Sequence, residues 1–135
     1  MSFSEKMIDI LNYGAINLAM AIGYRTGLFD VMDTFDSPQN IGDIAGKAEL
    51  NPRYVQEWLG VMTAAGIIEL SQADDENCYY LPKHCGDVIT RRAGNSNLGV
   101  YTQEIPLLIT CAMEAVIDGF TTGDGITYDH YPKFQ

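Results

Sequence analysis

The chain has 135 residues, 47% of them hydrophobic, and carries 18 acidic against 8 basic residues for a formal net charge of −10. The length suits one compact domain, or one domain with extra terminal helices. The charge works against a nucleic-acid partner, whose non-specific affinity needs clustered Lys and Arg on phosphates, and against an anionic membrane surface.

Met7 to Tyr24 reads as a helix that is apolar nearly all the way round, with Asp9, Asn12 and Asn17 as its clearly polar side chains. A domain this small cannot easily wrap a terminal helix on every side, so part of this surface is expected to meet another subunit or domain. The alternative is an ordinary core helix with one exposed face. The apolar run from Ala15 to Ile22 is too short to span a bilayer, and no segment has the pattern of a signal peptide.

Gly23 and Gly27 punctuate the chain, and Leu28, Phe29, Val31 and Met32 form a short second helix. Ser37-Pro38 opens a turn. Asn40 followed by Asp43 caps a third helix with Ile41, Ile44, Ala45 and Ala48 facing inward. The next stretch, Asn51 to Leu70, organises the rest. Asn51 is a good N-cap, Pro52 sits where its missing N–H costs nothing, and Val55, Trp58, Leu59, Met62 and Ala65 recur at helical spacing. Gly66 can end that helix in the left-handed conformation, and Ile67, Ile68 and Leu70 begin a strand. The spacing predicts a hairpin pairing 67–70 with 78–81, with Ser71 to Asn77 as its tip and Pro82 at its end. Beyond it, 83–92 reads as a short helix closed by Ala93-Gly94-Asn95. A further helix from Leu98 is broken or kinked by Pro106 and dissolved by Gly119, Gly123 and Gly125. The tail holds Tyr128, His130, Tyr131 and Phe134. The fold class is mainly α: a winged helix-turn-helix, three helices plus a β-hairpin, with additional N- and C-terminal helices. The divisions are 1–35 for packing helices, 36–92 for the winged-helix core and 93–135 for C-terminal helices and a linker.

A winged helix makes DNA binding the first function to weigh, since its recognition helix meets base edges with its exposed N-terminal residues. Here those are Arg53, Gln56 and Glu57. From Asn40 to Leu70, Lys47 and Arg53 stand against Asp43, Glu49, Glu57 and Glu69, and the wing carries Asp74, Asp75 and Glu76. Acids facing phosphate subtract affinity. Catalytic signals are equally thin. His84 and Cys85 are neighbours, but adjacent helical residues point about 100° apart and no acid orients the imidazole. His130 lies among aromatics and reads as a partly exposed contact. Gly123-Asp124-Gly125 has no strand before it and is a turn rather than a nucleotide loop. The cysteines Cys78, Cys85 and Cys111 are odd in number and match no zinc spacing, which fits buried free thiols in a reducing cytoplasm. No metal-ligand spacing and no catalytic centre is legible.

Three segments carry a resemblance: 12–18 (NYGAINL), 21–30 (AIGYRTGLFD) and 51–60 (NPRYVQEWLG), supported by 80–82, 103–108, 123–128 and 131–134. Together they resemble the N-terminal winged-helix domain of a family of S-adenosylmethionine-dependent methyltransferases. The resemblance implies a homodimerisation and substrate-lid module, in the manner of small-molecule O-methyltransferases, ahead of a Rossmann-like catalytic domain. No such domain is present in these residues, so the chain is expected to be a fragment or a naturally short product that binds no S-adenosylmethionine alone. Asn12, Tyr13, Tyr101 and Gln103, polar or aromatic groups on apolar helices, are the candidates to line the substrate side. The alternatives are a winged-helix transcriptional regulator and a purely structural adaptor. The expected location is cytoplasmic.

Overall fold

The computed structural model describes residues 1–127. Seven α-helices and one hairpin follow the predicted order: α1 Phe3–Arg25, α2 Leu28–Asp33, α3 Ile41–Ala48, α4 Pro52–Ala64, β1 Glu69–Ala73, β2 Glu76–Tyr80, α5 Lys83–Ile89, α6 Glu104–Cys111 and α7 Met113–Thr122, with 3₁₀ segments at Arg91–Ser96 and Gly99–Gln103. This is a winged helix-turn-helix with helices added at both ends.

The start of α4 follows from its cap. Asn51 Oδ1 accepts the N–H groups of Arg53 at 2.9 Å and Tyr54 at 3.3 Å, and Pro52 opens the first turn. Val55, Trp58, Leu59 and Met62 then enter the core beside Phe29, Met32, Ile44 and Leu81. Trp58 binds α4 to α1: its Nε1–H donates to the Ala19 carbonyl at 2.9 Å, and its ring meets Phe29 edge-on at 5.1 Å. Gly23 therefore does not punctuate the chain. It lies inside α1, where a Cβ would overlap the rings of Trp58 and Phe29. Gly27, at φ 79°, makes the actual break before α2. Asn40 caps α3 as expected, accepting from the Asp43 N–H at 2.7 Å.

The hairpin starts two residues later than the apolar run suggests. Gly66 at φ 76° turns the chain back, and Ile67 N–H and Ile68 N–H both donate to the Met62 carbonyl, so these residues close α4 instead of starting β1. The pairing is antiparallel with Glu69 opposite Tyr80 and Ala73 opposite Glu76. Its tip is thus Asp74-Asp75, not a seven-residue loop. Both tip residues have positive φ, 53° and 62°, as a two-residue type I′ turn requires. Gln39 adds a rung on the other side of β2, exchanging both backbone hydrogen bonds with Tyr79.

After the hairpin the structure departs further from the periodicity. Helix α5 ends at Ile89 because Thr90 turns extended. That turn lets the next two residues reach back to α2. Arg91 pairs with Asp30 and lies over the Tyr24 ring at 4.1 Å; Arg92 pairs with the buried Asp33 and with Asp87. Pro106 does not break a helix. It sits in the first turn of α6, where its missing N–H loses no bond. The break comes at Ala112, where the chain bends by 59° into α7; Gly119 lies within α7, which ends at Gly123 with φ 78°. No single described helix is long and apolar enough to cross a membrane; only the bent pair 99–122 has the length and composition for it.

Candidate functional site

Helix α4 and the wing present the surface on which a DNA reader would depend. On α4 the outward residues are Arg53, Tyr54, Gln56, Glu57 and Gly60, and the wing exposes Glu69, Asp74, Asp75 and Glu76. One guanidinium stands against five carboxylates. Between α4 and the C-terminal half of α1 runs a mainly apolar hollow of about 740 Å³, walled by Ala19, Ile22, Leu28, Tyr54, Trp58 and Val61 with Arg53 and Glu57 on its lining. A smaller hollow, about 410 Å³, lies across α1 against α6; Leu18, Ile22, Arg25, Gln103, Pro106 and Leu107 line it.

The four residues singled out for a substrate side do not share one cavity. Asn12 and Tyr13 stand exposed on the N-terminal half of α1. Gln103 lines the smaller α1–α6 hollow and donates to the Val100 carbonyl at 3.2 Å. Tyr101 lines a separate open hollow with Tyr24, Arg91 and Asn97. Arg53 lines the first of these hollows and Arg25 the second; the sequence weighs Arg53 only as a DNA-facing residue and does not single out Arg25 as a site residue, because nothing local marks either as lining a cavity. Their signal is global: in a chain so rich in acids, neither forms an ion pair among the described residues.

His84 is exposed while Cys85 is half-buried beside the core, so the pair has no common environment. Burial, and next the Glu69 carboxylate, push the Cys85 thiol above its ordinary value of 9.0, the opposite of what an attacking thiolate needs. Cys78, Cys85 and Cys111 are all free, the first buried and the others half-buried. Among the described residues no cluster of His, Cys, Asp and Glu could hold a metal ion. His130 and the other tail aromatics lie outside the described residues. The residues present also do not fit a nucleotide cofactor. The hairpin is the only sheet among the described residues, and no glycine-rich turn there carries a strand into a helix N-terminus.

The family model for the Rv2258c-like winged HTH domain matches residues 14–91, from the middle of α1 to the first of the two arginines. The chain belongs to this family. The Rv2258c-like match thus takes in the whole helix-turn-helix and its wing. No curated protein matches the chain by sequence. Among solved structures it is similar to human N-acetylserotonin methyltransferase in complex with SAM, at 11% identity and TM-score 0.73, over 93% of this chain and 36% of that one. It is also similar to PigF with SAH, at 18% identity and TM-score 0.62, over 96% of this chain and 38% of that one. At such identities the likeness is one of fold. The chain spans little more than a third of either protein.

Proposed function

We propose that this Rv2258c-like domain is the dimerising and substrate-capping N-terminal unit of an S-adenosylmethionine-dependent methyltransferase that acts on a small molecule. The observation that carries the reading is the superposition of nearly the whole chain on about a third of a methyltransferase, by a winged helix whose DNA-facing surface is acidic. Dimerisation is supported by the apolar side chains that α1 leaves in solvent, among them Phe3, Ile8, Ile10 and Leu11. The capping role is supported by the hollow at Gln103 and Arg25, which offers an apolar wall with a few polar groups, the usual make-up of a small-molecule site. Chemistry and cofactor would belong to a separate domain.

Three measurements on the purified chain test this. Light scattering should return twice the chain mass. Calorimetry with S-adenosylmethionine should show no tight binding, and a low-salt gel shift with random duplex DNA should show none. A monodisperse monomer that retards DNA would replace this reading by the transcriptional-regulator one; tight cofactor binding would refute the division of labour.

A further inference from the structure

The mainly apolar hollow of about 740 Å³ between α1 and α4 takes no part in the reading above. Its size lies within the roughly 300–1,000 Å³ usual for small-molecule sites. Trp58 lines it and ties its two walls together, since the indole N–H donates to the Ala19 carbonyl across the seam. Ile22 and Thr26 line both this hollow and the one at Gln103. At about 100° per residue they lie on α1 between Ala19, which faces α4, and Leu18, Ala21 and Arg25, which face α6. The two hollows are therefore neighbours with a shared wall, each with its own polar groups.

The charged groups here are Arg53 and Glu57, about one turn apart on α4. By the same spacing Glu57 falls between Arg53 and Val61, so both charges and an apolar wall share one face of the helix. Lys47, Lys83, Arg91 and Arg92 are all engaged within the chain. Arg53 and Glu57 form no ion pair among the described residues, with each other or with any other group. Arg ahead of Glu is the weaker order for pairing along a helix, which leaves both charges open. A lone carboxylate in the hollow would gain at Arg53 and lose at Glu57, and a lone amine the reverse. A headgroup that carries both signs uses both residues. Beside them Ile22, Tyr54 and Val61 are 49%, 77% and 42% exposed, which is apolar surface that a bound side chain would cover.

We propose that the α1–α4 hollow binds a free α-amino acid with a large apolar side chain. Its carboxylate pairs with Arg53, its ammonium with Glu57, and its side chain lies against Ile22, Tyr54 and Val61. The site does not depend on the methyltransferase reading.

The test is titration of the full chain with L-phenylalanine. It is read by calorimetry and by the emission of Trp58, the single tryptophan, which lines the hollow. Binding should saturate with a Kd of about a millimolar or tighter. 3-Phenylpropionate, which lacks the ammonium, and phenethylamine, which lacks the carboxylate, should each bind about tenfold more weakly. Arg53→Gln and Glu57→Gln should each weaken phenylalanine by about the same factor, and in Glu57→Gln phenylalanine and 3-phenylpropionate should bind alike. Val61→Glu should abolish binding. Lys6→Gln, which removes an unpaired cation at the far end of α1, should leave it unchanged. Circular dichroism checks that each variant is folded. No saturable binding up to about 20 mM phenylalanine would overturn the site. 3-Phenylpropionate binding as tightly as phenylalanine would overturn the role of Glu57 and with it the amino-acid class. Binding that survives both Arg53→Gln and Val61→Glu would place the ligand outside this hollow and overturn the proposal.

Discussion

Gly23→Ala isolates a tertiary effect from a helical one. In an open helix the change adds about 0.8–1.0 kcal/mol of stability. At position 23 the new methyl would overlap Trp58 and Phe29, both core residues. Trp58 cannot withdraw freely, because its indole N–H is held by the Ala19 carbonyl on the same helix. Overpacking of this kind costs about 1–3 kcal/mol and a hydrogen bond about 1 kcal/mol, so after the helical gain the variant should lose roughly 1–3 kcal/mol net. At the ~4 °C per kcal/mol suited to a chain of this length, Tm should fall by about 4–12 °C. Gly60→Ala in α4 is the control: nothing lies within 4 Å of its Cβ, so it should gain up to about 1 kcal/mol. Thermal and urea unfolding followed by circular dichroism at one fixed protein concentration would measure both. A Gly23→Ala variant as stable as Gly60→Ala would refute the argument that the Trp58 ring occupies the space above Gly23.

Two other outcomes can be checked on the same instruments. Asn51→Ala removes the acceptor of two α4 N–H groups and should cost about 1 kcal/mol in urea unfolding, and Asn51→Asp should keep most of it. The raised Cys85 thiol makes stability depend on alkaline pH. The unfolded chain releases that proton first as pH rises past the ordinary 9.0, so the contribution is intact below that value and is lost as pH climbs toward the folded one. Wild-type Tm should therefore drop more steeply than that of Cys85→Ala over roughly pH 8–10; parallel slopes would contradict the burial argument.

What was legible in the sequence was local. Asn51-Pro52 and Asn40 with Asp43 announce helix starts through groups two or three residues away, and the structure has both caps. The strand boundary at Glu69 was not legible, because Ile67 and Ile68 look like strand while their N–H groups go to Met62. Gly23 was misread for the same reason: its role is set by Trp58, 35 residues later in the chain, and not by its neighbours. Nothing in the spacing of Asp30 and Asp33 points to the adjacent Arg91 and Arg92, since that match exists only once Thr90 turns extended. For the site, the apolar character of α1 and the acidic wing were visible, whereas the hollow shared by Gln103 and Arg25 depends on how α6 returns across α1.

The tether from Trp58 to Ala19 has a practical corollary. The chain contains a single tryptophan, and that one is 6% exposed where the first helix meets the fourth. Its emission is therefore a built-in optical reporter of one seam and is silent about the hairpin. A red shift that preceded the loss of helical ellipticity would mean that the leading helix peels away as a unit before the rest of the molecule melts.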